Sequence, residues 1–248
     1  MQTNDLYDLL STNTYPGRGI VLGLDEQGEN AVVIYFIMGR SVNSRNRVFE
    51  EVEDGIITKA FDESLMTDPH LIIYHPVREL DGGRTIVTNG DQTDTIRDFL
   101  VEGRSFEDAL RIRTFEDDRP NWTPRISGLV TVEDGRCSYK LSILKSAEGD
   151  EDSCERFFFD YPQPKKGIGH FIHTYQGDGA PLPSFEGEPE KVSLDGDIES
   201  LALRVWDSLN EDNRVSLYVS YISLKDGSAD TIIINAHEQL PVEGDEEE

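Results

Sequence analysis

Residues 19–38 read GIVLGLDEQGENAVVIYFIM, two apolar runs separated by a polar turn that contains a glycine. The runs cover residues 19–24 and 31–38, and nearly every position in them is hydrophobic. A strand with one face in water alternates apolar and polar residues, whereas a continuous apolar run of this length indicates a strand that is covered on both sides. The sequence therefore predicts a hairpin of two central strands, buried on both faces.

Further strands are predicted along the rest of the chain, where short apolar runs are bounded by turn residues. These runs cover residues 71–77, 84–88, 125–132, 138–144, 157–159, 168–175, 215–224 and 231–235. Two polar segments, residues 146–152 and 177–189, are predicted to be loops, the second because it is rich in glycine and proline. The prediction is thus of many strands joined mostly by turns.

A helical spacing of apolar residues predicts three helices, over residues 93–101, 106–113 and 198–209. Residue types that cap helices precede them, namely Asp91 or Thr93, then Ser105, then Asp197. Because these helices do not alternate regularly with the strands, the expected fold class is α+β rather than a doubly wound parallel sheet.

Composition limits the classes of partner. The 248 residues carry a formal net charge of −26, from 49 acidic and 23 basic side chains. Such a field repels nucleic acids and anionic membranes, so neither is an expected partner. No apolar run approaches the roughly 20 residues of a membrane helix, and the N-terminus lacks the features of a secretory signal. We therefore expect a cytoplasmic protein with one domain over residues 1–240 and an acidic tail over residues 241–248.

The segment GRSVNSRNR, residues 39–47, reverses the charge of the chain locally, with three arginines and no acidic residue. Guanidinium groups match phosphates and carboxylates through paired hydrogen bonds, and Ser and Asn add neutral donors. One interpretation is therefore a site for a small anion. The alternative is a solvated loop in which the arginines pair with the many carboxylates of the chain.

Two more polar segments could complete such a site. NGDQTDT, residues 89–95, lies at a predicted strand-to-helix turn, where free N–H groups suit an anion, although ordinary turn and cap chemistry explains the same residues. FEDDRPNWTPR, residues 115–125, places Glu116 among hydrogen-bond donors, where it could orient an amide or move a proton. Tyr74 belongs to the segment YHP, residues 74–76, near the end of a predicted strand, and nearby cations would lower the pKa of its phenol. The simpler interpretation is a tyrosine packed on the sheet.

Motifs for the common cofactors and metals are missing from the sequence. It contains no phosphate-binding P-loop, no dinucleotide-binding glycine motif and no His-Glu-x-x-His. Cys137 and Cys154 match no zinc spacing, and His170 and His173, three apart on a predicted strand, would point to opposite faces. We therefore expect neither a metal ion nor a redox cofactor.

Six short segments occur in an order that is more specific than any one of them. They are YPGR at 15–18, RS at 40–41 with NR at 46–47, Tyr74, TNGDQTDTI at 88–96, Glu116 followed by NWTPRI at 121–126, and TY at 174–175. This ordered set resembles the archaeal-type IMP cyclohydrolase family. The resemblance implies a four-layer αββα sandwich like that of N-terminal-nucleophile hydrolases. The chain begins Met1-Gln2, so the N-terminal nucleophile of those enzymes is not expected.

The resemblance also implies a reaction, the last step of de novo purine synthesis. In it, 5-formamidoimidazole-4-carboxamide ribotide closes its second ring to give inosine monophosphate and water, without a metal or cofactor. The implied catalytic residues are Arg47, Tyr74, Asn89 and Glu116. Tyr74 is the expected general acid, and Glu116 is expected to hold or deprotonate the carboxamide. Arg47 would bind an anionic oxygen, and Asn89 would position the formyl or carboxamide oxygen.

Charge adds candidates for binding the substrate. Arg18, Arg40 and Ser41 are expected at the 5′-phosphate, and the other substrate-binding candidates are Thr93, Asp94 and Arg125, although Arg125 could instead pair with Glu116. Two other functions stay open at this point: a purine-nucleotide-binding protein without activity, or a hydrolase of another amide or formamide on the same scaffold. The resemblance further implies a homo-oligomer, either a dimer or a tetramer.

Overall fold

Two antiparallel sheets form the framework of the computed structural model, which describes residues 3–66 and 73–238. In chain order the strands are β1 (Arg18–Leu24), β2 (Asn30–Met38), β3 (Val48–Val52), β4 (Gly55–Lys59), β5 (Val77–Leu80), β6 (Arg84–Thr88), β7 (Arg125–Glu133), β8 (Arg136–Ala147), β9 (Asp150–Tyr161), β10 (Ile168–His173), β11 (Glu190–Ser193), β12 (Arg214–Ser223) and β13 (Ala229–Asn235). One sheet has the order β11-β10-β1-β2-β12-β13, and the other has the order β3-β4-β5-β6-β7-β8-β9.

The helices are short. They are α1 (Leu6–Thr12), α2 (Val42–Arg45), α3 (Gln92–Val101), α4 (Phe106–Arg111) and α5 (Ile198–Ser208), with single 3-10 turns at Glu63–Leu65 and Ala236–Glu238. In the ranges that the structure describes, no helix has the length and apolar character needed to cross a bilayer.

Strands β1 and β2 lie at the centre of the first sheet, and both of their faces are buried, as predicted. Leu22 and Tyr35 point into a core between the two sheets, where they join side chains such as Val87 of the second sheet. The alternate residues, among them Val21 and Phe36, belong to a second apolar cluster on the opposite face of the first sheet. The period of two along each strand thus divides one continuous apolar run between two cores.

Helices cover the outer face of each sheet. Leu6 of α1 and Leu201 of α5 pack in the cluster on the first sheet. On the second sheet, Ile96 of α3 and Phe106 of α4 pack against strand residues such as Ile86. The α+β class is therefore confirmed, as a sandwich of two antiparallel sheets whose layers follow the order helix, sheet, sheet, helix.

The predicted helix starts agree with the structure at Ser105 and Asp197, which accept hydrogen bonds from the backbone N–H groups of Asp108 at 3.0 Å and Ser200 at 2.8 Å. Helix α3 differs, because Asp91 occupies the cap position without making a side-chain cap bond. Its carboxylate instead contacts the guanidinium groups of two arginines outside the helix. Ion pairing has taken the place of capping at this residue.

Two element predictions are wrong. Residues 146–152, predicted as a loop, belong to a long β8–β9 hairpin that turns at Glu148 and Gly149, both with positive φ, at 53° and 82°. Its acidic residues are typical of a loop, but they lie on an exposed strand at the edge of the sheet. The strand predicted over residues 71–77 differs in its described part, where residues 73–76 lie outside any strand and β5 begins at Val77, after a proline that has no N–H to donate.

Several elements were not predicted at all, namely β3, β4, β11, α1 and α2. In β3 and β4 the apolar positions are separated by the acidic residues of VFEEVEDGIITK, residues 48–59, which hides the strand pattern. The beginning of the predicted strand at residues 71–72 and the acidic tail at residues 241–248 lie outside the described residues.

Leu22 provides a test of the core between the sheets. A Cβ atom added at Gly128 of β7 would lie 2.8 Å from Leu22 Cδ1, so the two sheets approach closely here. Leu22→Ala should lower the free energy of unfolding by about 2–5 kcal/mol, because the deleted side chain leaves a cavity between packed layers. Urea denaturation measures the change. The matched control is Leu203→Ala on α5, where the side chain is 57% exposed, and it should change stability by less than about 0.5 kcal/mol. Equal effects would contradict this packing.

Candidate active site

A cavity of about 300 Å³ lies at the end of the first sheet where β1 begins and β2 ends. Its wall comes from the start of β1, the segment from β2 into α2, the loop before β7 and the loop after β10. The lining residues are Tyr15, Arg18, Met38, Arg40, Ser41, Asn43, Ser44, Arg47, Glu116, Asp118, Asn121, Thr123, Tyr175 and Leu182. Segments that are distant in sequence therefore meet at one point.

A buried ion pair lies in the wall of this cavity. Arg18 Nη2 is 3.6 Å from Glu116 Oε2, and only 4% of Glu116 is exposed. Among the described residues, none accepts a hydrogen bond from the buried Nε of Arg18. The backbone N–H of Glu116 donates to the Thr123 carbonyl at 2.9 Å, which fixes the loop that carries the carboxylate. The pair joins β1 of one sheet to the segment that leads into β7 of the other.

Arg47 adds a second buried guanidinium group. It is 2% exposed, and its Nε donates to the Ser44 carbonyl at 2.9 Å. Its Nη2 lies 3.4 Å from the Met38 carbonyl. Burial and the nearby charge of Arg18 both lower the pKa of Arg47, because each disfavours a second positive charge. An anion that entered the cavity would relieve this repulsion.

Arginines are concentrated around this cavity, although the protein as a whole is strongly acidic. Three arginines line it, against the carboxylates of Glu116 and Asp118. Asp118 is already engaged, because it accepts hydrogen bonds from the backbone and the hydroxyl group of Thr123. Nowhere in residues 3–66 and 73–238 do three His, Cys, Asp or Glu side chains lie close enough to hold a metal ion. The three arginines of the lining favour an anionic ligand.

Glu116 and Tyr74 have perturbed pKa values. Burial raises the pKa of Glu116, and Arg18 and Arg125 oppose that increase. Burial also raises the pKa of Tyr74, although Arg47 and Arg18 act to lower it. The expectation of a lowered pKa for Tyr74 was therefore wrong, because desolvation outweighs the cations. At neutral pH the phenol carries its proton, and Glu116 is easier to protonate than an ordinary carboxylate.

Tyr74 lies behind the lining rather than in it. Its hydroxyl group is 2.9 Å from that of Tyr35, a residue of the core between the sheets. The charges of Arg18, Arg47 and Glu116 all act on it. Tyr74 thus belongs electrostatically to the same cluster as the residues of the cavity wall.

The structure brings five of the predicted site residues together in the lining: Arg18, Arg40, Ser41, Arg47 and Glu116. Asn89 is not in the lining. Its amide group donates to the Pro124 carbonyl at 2.9 Å, and its oxygen accepts from the Ile126 N–H at 2.8 Å and from Gln92 at 3.0 Å. These bonds hold the turn before α3 against the start of β7.

Thr93, Asp94 and Arg125 also lie outside the lining. The Thr93 hydroxyl group is 2.6 Å from that of Thr88. Asp94 Oδ1 accepts a hydrogen bond from Arg78 at 2.9 Å. Arg125 contacts Asp91 at 2.8 Å and Gln92 at 2.7 Å. The partner of Glu116 is therefore Arg18 rather than Arg125.

Some residues of the lining that had not been assigned to the site lie in segments already quoted for the resemblance. Tyr15 stacks on Tyr175, with ring centroids 5.9 Å apart, and the Tyr175 hydroxyl group contacts that of Thr123. YPGR, TY and NWTPRI contain these three residues. Their convergence could have been expected from the ordered set, but single aromatic and hydroxyl residues carry no signal of their own.

The charge balance around Glu116 predicts a measurable shift. Arg125→Gln removes a cation that lowers the pKa of Glu116, so that pKa should rise further. The fold should be kept, because Asp91 retains Arg113 at 2.6 Å. Carbon-13 NMR of the labelled Glu116 carboxyl group measures the shift. Arg97→Gln, which removes a more exposed arginine, is the control and should leave that pKa unchanged; a rise of the same size there would contradict a local effect.

Comparisons with known proteins identify the family of this chain. The family described as IMP cyclohydrolase-like protein matches residues 15–227, a range that includes every lining residue. The IMP cyclohydrolase of Methanopyrus kandleri is 32% identical over 174 residues, which cover 68% of this chain and 79% of that protein. That of Methanococcus maripaludis strain S2 is 32% identical over 129 residues, 50% of this chain and 62% of that protein. That of Methanococcus aeolicus is 26% identical over 200 residues, 66% of this chain and 97% of that protein. The chain belongs to the IMP cyclohydrolase-like protein family.

Proposed function

We propose that this chain is an IMP cyclohydrolase, which converts 5-formamidoimidazole-4-carboxamide ribotide into inosine monophosphate and water. The observation that carries the proposal is the Arg18–Glu116 pair beside Arg47, in the wall of an arginine-rich cavity. The names of the relatives support it, and the family match spans every residue of the cavity lining. The volume, about 300 Å³, is at the lower end of the range for small-molecule sites.

Ring closure needs proximity and the movement of protons. The carboxamide nitrogen attacks the formyl carbon and loses a proton, while the formyl oxygen gains one, which gives a cyclic carbinolamine. The carbinolamine hydroxyl group then leaves as water, taking up a proton, and the former formamido nitrogen loses its own. A cavity that holds the two groups face to face removes most of the entropic barrier. The remaining barrier is proton transfer, because an amide nitrogen is a poor nucleophile.

The residues of the cluster fit these steps. Glu116 accepts the carboxamide proton, since its raised pKa brings it closer to neutral pH than an ordinary carboxylate. Tyr74 keeps its proton at neutral pH and serves as the acid for the departing oxygen. Its hydrogen-bond partner Tyr35 can share in that proton transfer. Arg47 stabilises negative charge on the formyl oxygen, and its burial strengthens that interaction.

The other predicted residues take supporting roles in this proposal. Arg40, Ser41 and Arg18 bind the 5′-phosphate. Asn89 acts as a positioning residue, because its amide holds Pro124 and Ile126 in place next to Arg125. Thr93 and Asp94 contribute to the helix-start segment that Asn89 anchors, rather than touching the nucleotide.

The scaffold and setting complete the proposal. The helix-sheet-sheet-helix order supports a likeness to N-terminal-nucleophile hydrolases, with chemistry that uses interior side chains instead of an N-terminal residue. Residues 1–240 form one domain, which associates as a dimer or tetramer. We place the protein in the cytoplasm, where a purine nucleotide precursor is made and where the free thiols of Cys137 and Cys154 stay reduced.

Turnover by the purified protein tests the function and the site together. Wild type should convert the formamido ribotide to inosine monophosphate, followed by absorbance. Glu116→Gln and Tyr74→Phe should each lower kcat by about 10²–10⁴-fold, the range for loss of a general base or acid. Both variants should still bind inosine monophosphate in calorimetry, because neither loses an arginine.

The controls repeat the same chemical changes elsewhere. Glu199→Gln alters an exposed carboxylate at the start of α5, and Tyr221→Phe removes a hydroxyl group that donates to the Gly196 carbonyl at 3.1 Å. Both should keep wild-type kcat. Tight binding of inosine monophosphate without turnover in the wild type would favour the binding protein without activity. Hydrolysis of simple formamides that lack ribose phosphate would favour the other amide hydrolase.

A further inference from the structure

Residues 176–185 form a strap at the edge of the cavity. The ends of the strap are joined, because the Gln176 N–H donates to the Pro183 carbonyl at 2.9 Å. Leu182 of the strap lines the cavity, and its N–H donates to Asn121 Oδ1 at 3.2 Å. The strap is therefore a closed arch that forms part of the cavity wall.

Asp178, near the tip of this strap, is ion-paired with Arg40 of the cavity lining. Arg40 Nη1 also donates to the Gly179 carbonyl at 3.0 Å. The two charged side chains are 36% and 53% exposed, so solvent and dissolved anions reach them. The guanidinium of Arg40 also lies 4.8 Å from the ring centroid of Tyr15, a contact that does not involve the strap. Arg40 thus keeps a support of its own if the Asp178 carboxylate moves away.

The base of the strap is held independently of Arg40. Lys145 of β8 is buried, and its Nζ lies 2.6 Å from Glu186 Oε1 and 3.3 Å from the Phe185 carbonyl. An exchange of partners at Arg40 therefore leaves these anchors in place. The tip is the part of the strap whose charge contact an incoming anion can replace.

We propose that Asp178 is an internal counter-anion that occupies Arg40 and is displaced by the phosphate group of the nucleotide. The inference rests on the proposed function, because it assumes that Arg40 binds this phosphate. Carboxylate and phosphate use the same guanidinium N–H groups, so they compete for Arg40. A phosphate dianion can displace the carboxylate, whereas an uncharged nucleoside cannot. Asp178 thereby lowers the affinity of the site for every anionic ligand. Only an anion that binds Arg40 more strongly than the Asp178 carboxylate does can occupy the site.

Calorimetry of Asp178→Asn tests the competition, with inosine monophosphate, inorganic phosphate and inosine as probes. The variant should bind inosine monophosphate and inorganic phosphate about two- to fivefold more tightly at low salt, the range expected from loss of an exposed ion pair. Its affinity for inosine, which has no phosphate, should match that of the wild type. Unchanged or weaker binding of both anions would overturn the proposal.

The control is Asp195→Asn, which changes the net charge equally. Asp195 forms a comparably exposed pair with Arg204 at 2.7 Å, and neither residue lines the cavity. This variant should bind all three probes as the wild type does. If its affinity for the anions rose as much as that of Asp178→Asn, the effect would come from overall charge and the proposal would be overturned. In an Arg40→Gln background, Asp178→Asn should give no gain, and a retained gain would also overturn it.

The two proposals fail in different ways. If the wild type forms no inosine monophosphate from the precursor, the proposal of a cyclohydrolase function is refuted. The comparison of inorganic phosphate binding between wild type and Asp178→Asn still reports whether Asp178 competes for Arg40. If turnover is present and that comparison shows no difference, only the role of Asp178 is removed.

Discussion

The largely desolvated guanidinium groups of Arg18 and Arg47 impose the strictest condition on this structure, because their side chains have little access to water. A charge taken out of water costs free energy unless other groups compensate it. Glu116 compensates Arg18 by ion pairing, and the carbonyl groups of Ser44 and Met38 accept the N–H groups of Arg47. The ends of β1 and β2 and the loop before β7 must therefore meet at one place, which links the two sheets. The same condition gives the site its chemistry. Burial raises the pKa of the Glu116 carboxylate, nearby arginines oppose that rise, and the resulting pKa differs from that of an ordinary carboxylate.

The fold could be predicted where the pattern of apolar residues directly indicated which positions are buried. The runs at β1 and β2 identified strands covered on both faces, and Ser105 and Asp197 marked the starts of two helices. Prediction failed where polar residues lie on regular structure, as in β3 and in the hairpin around Glu148. An exposed strand has no need for apolar residues, so its composition resembles that of a loop.

The candidate site was predictable to a different extent. The arginine-rich segment signalled Arg40 and Arg47 by charge contrast, and the ordered motifs signalled Arg18 and Glu116. Spacing could not show that the amide of Asn89 is occupied by Pro124 and Ile126, because those bonds are long-range. Nor could it show that burial outweighs the cations around Tyr74. Desolvation depends on everything that packs around a group, and a linear motif does not contain that information.

Strand β9, at the edge of the second sheet, has a consequence for behaviour at high concentration. Edge strands present unpaired N–H and C=O groups on which another chain can build, which leads to aggregation. The residues of β9 between Asp150 and Glu155 are largely acidic and exposed, so two such edges repel each other. The acidic residues that made this strand look like a loop in the sequence therefore oppose the pairing of β9 with an edge strand of another molecule. Replacing them by neutral residues would remove this repulsion between edges.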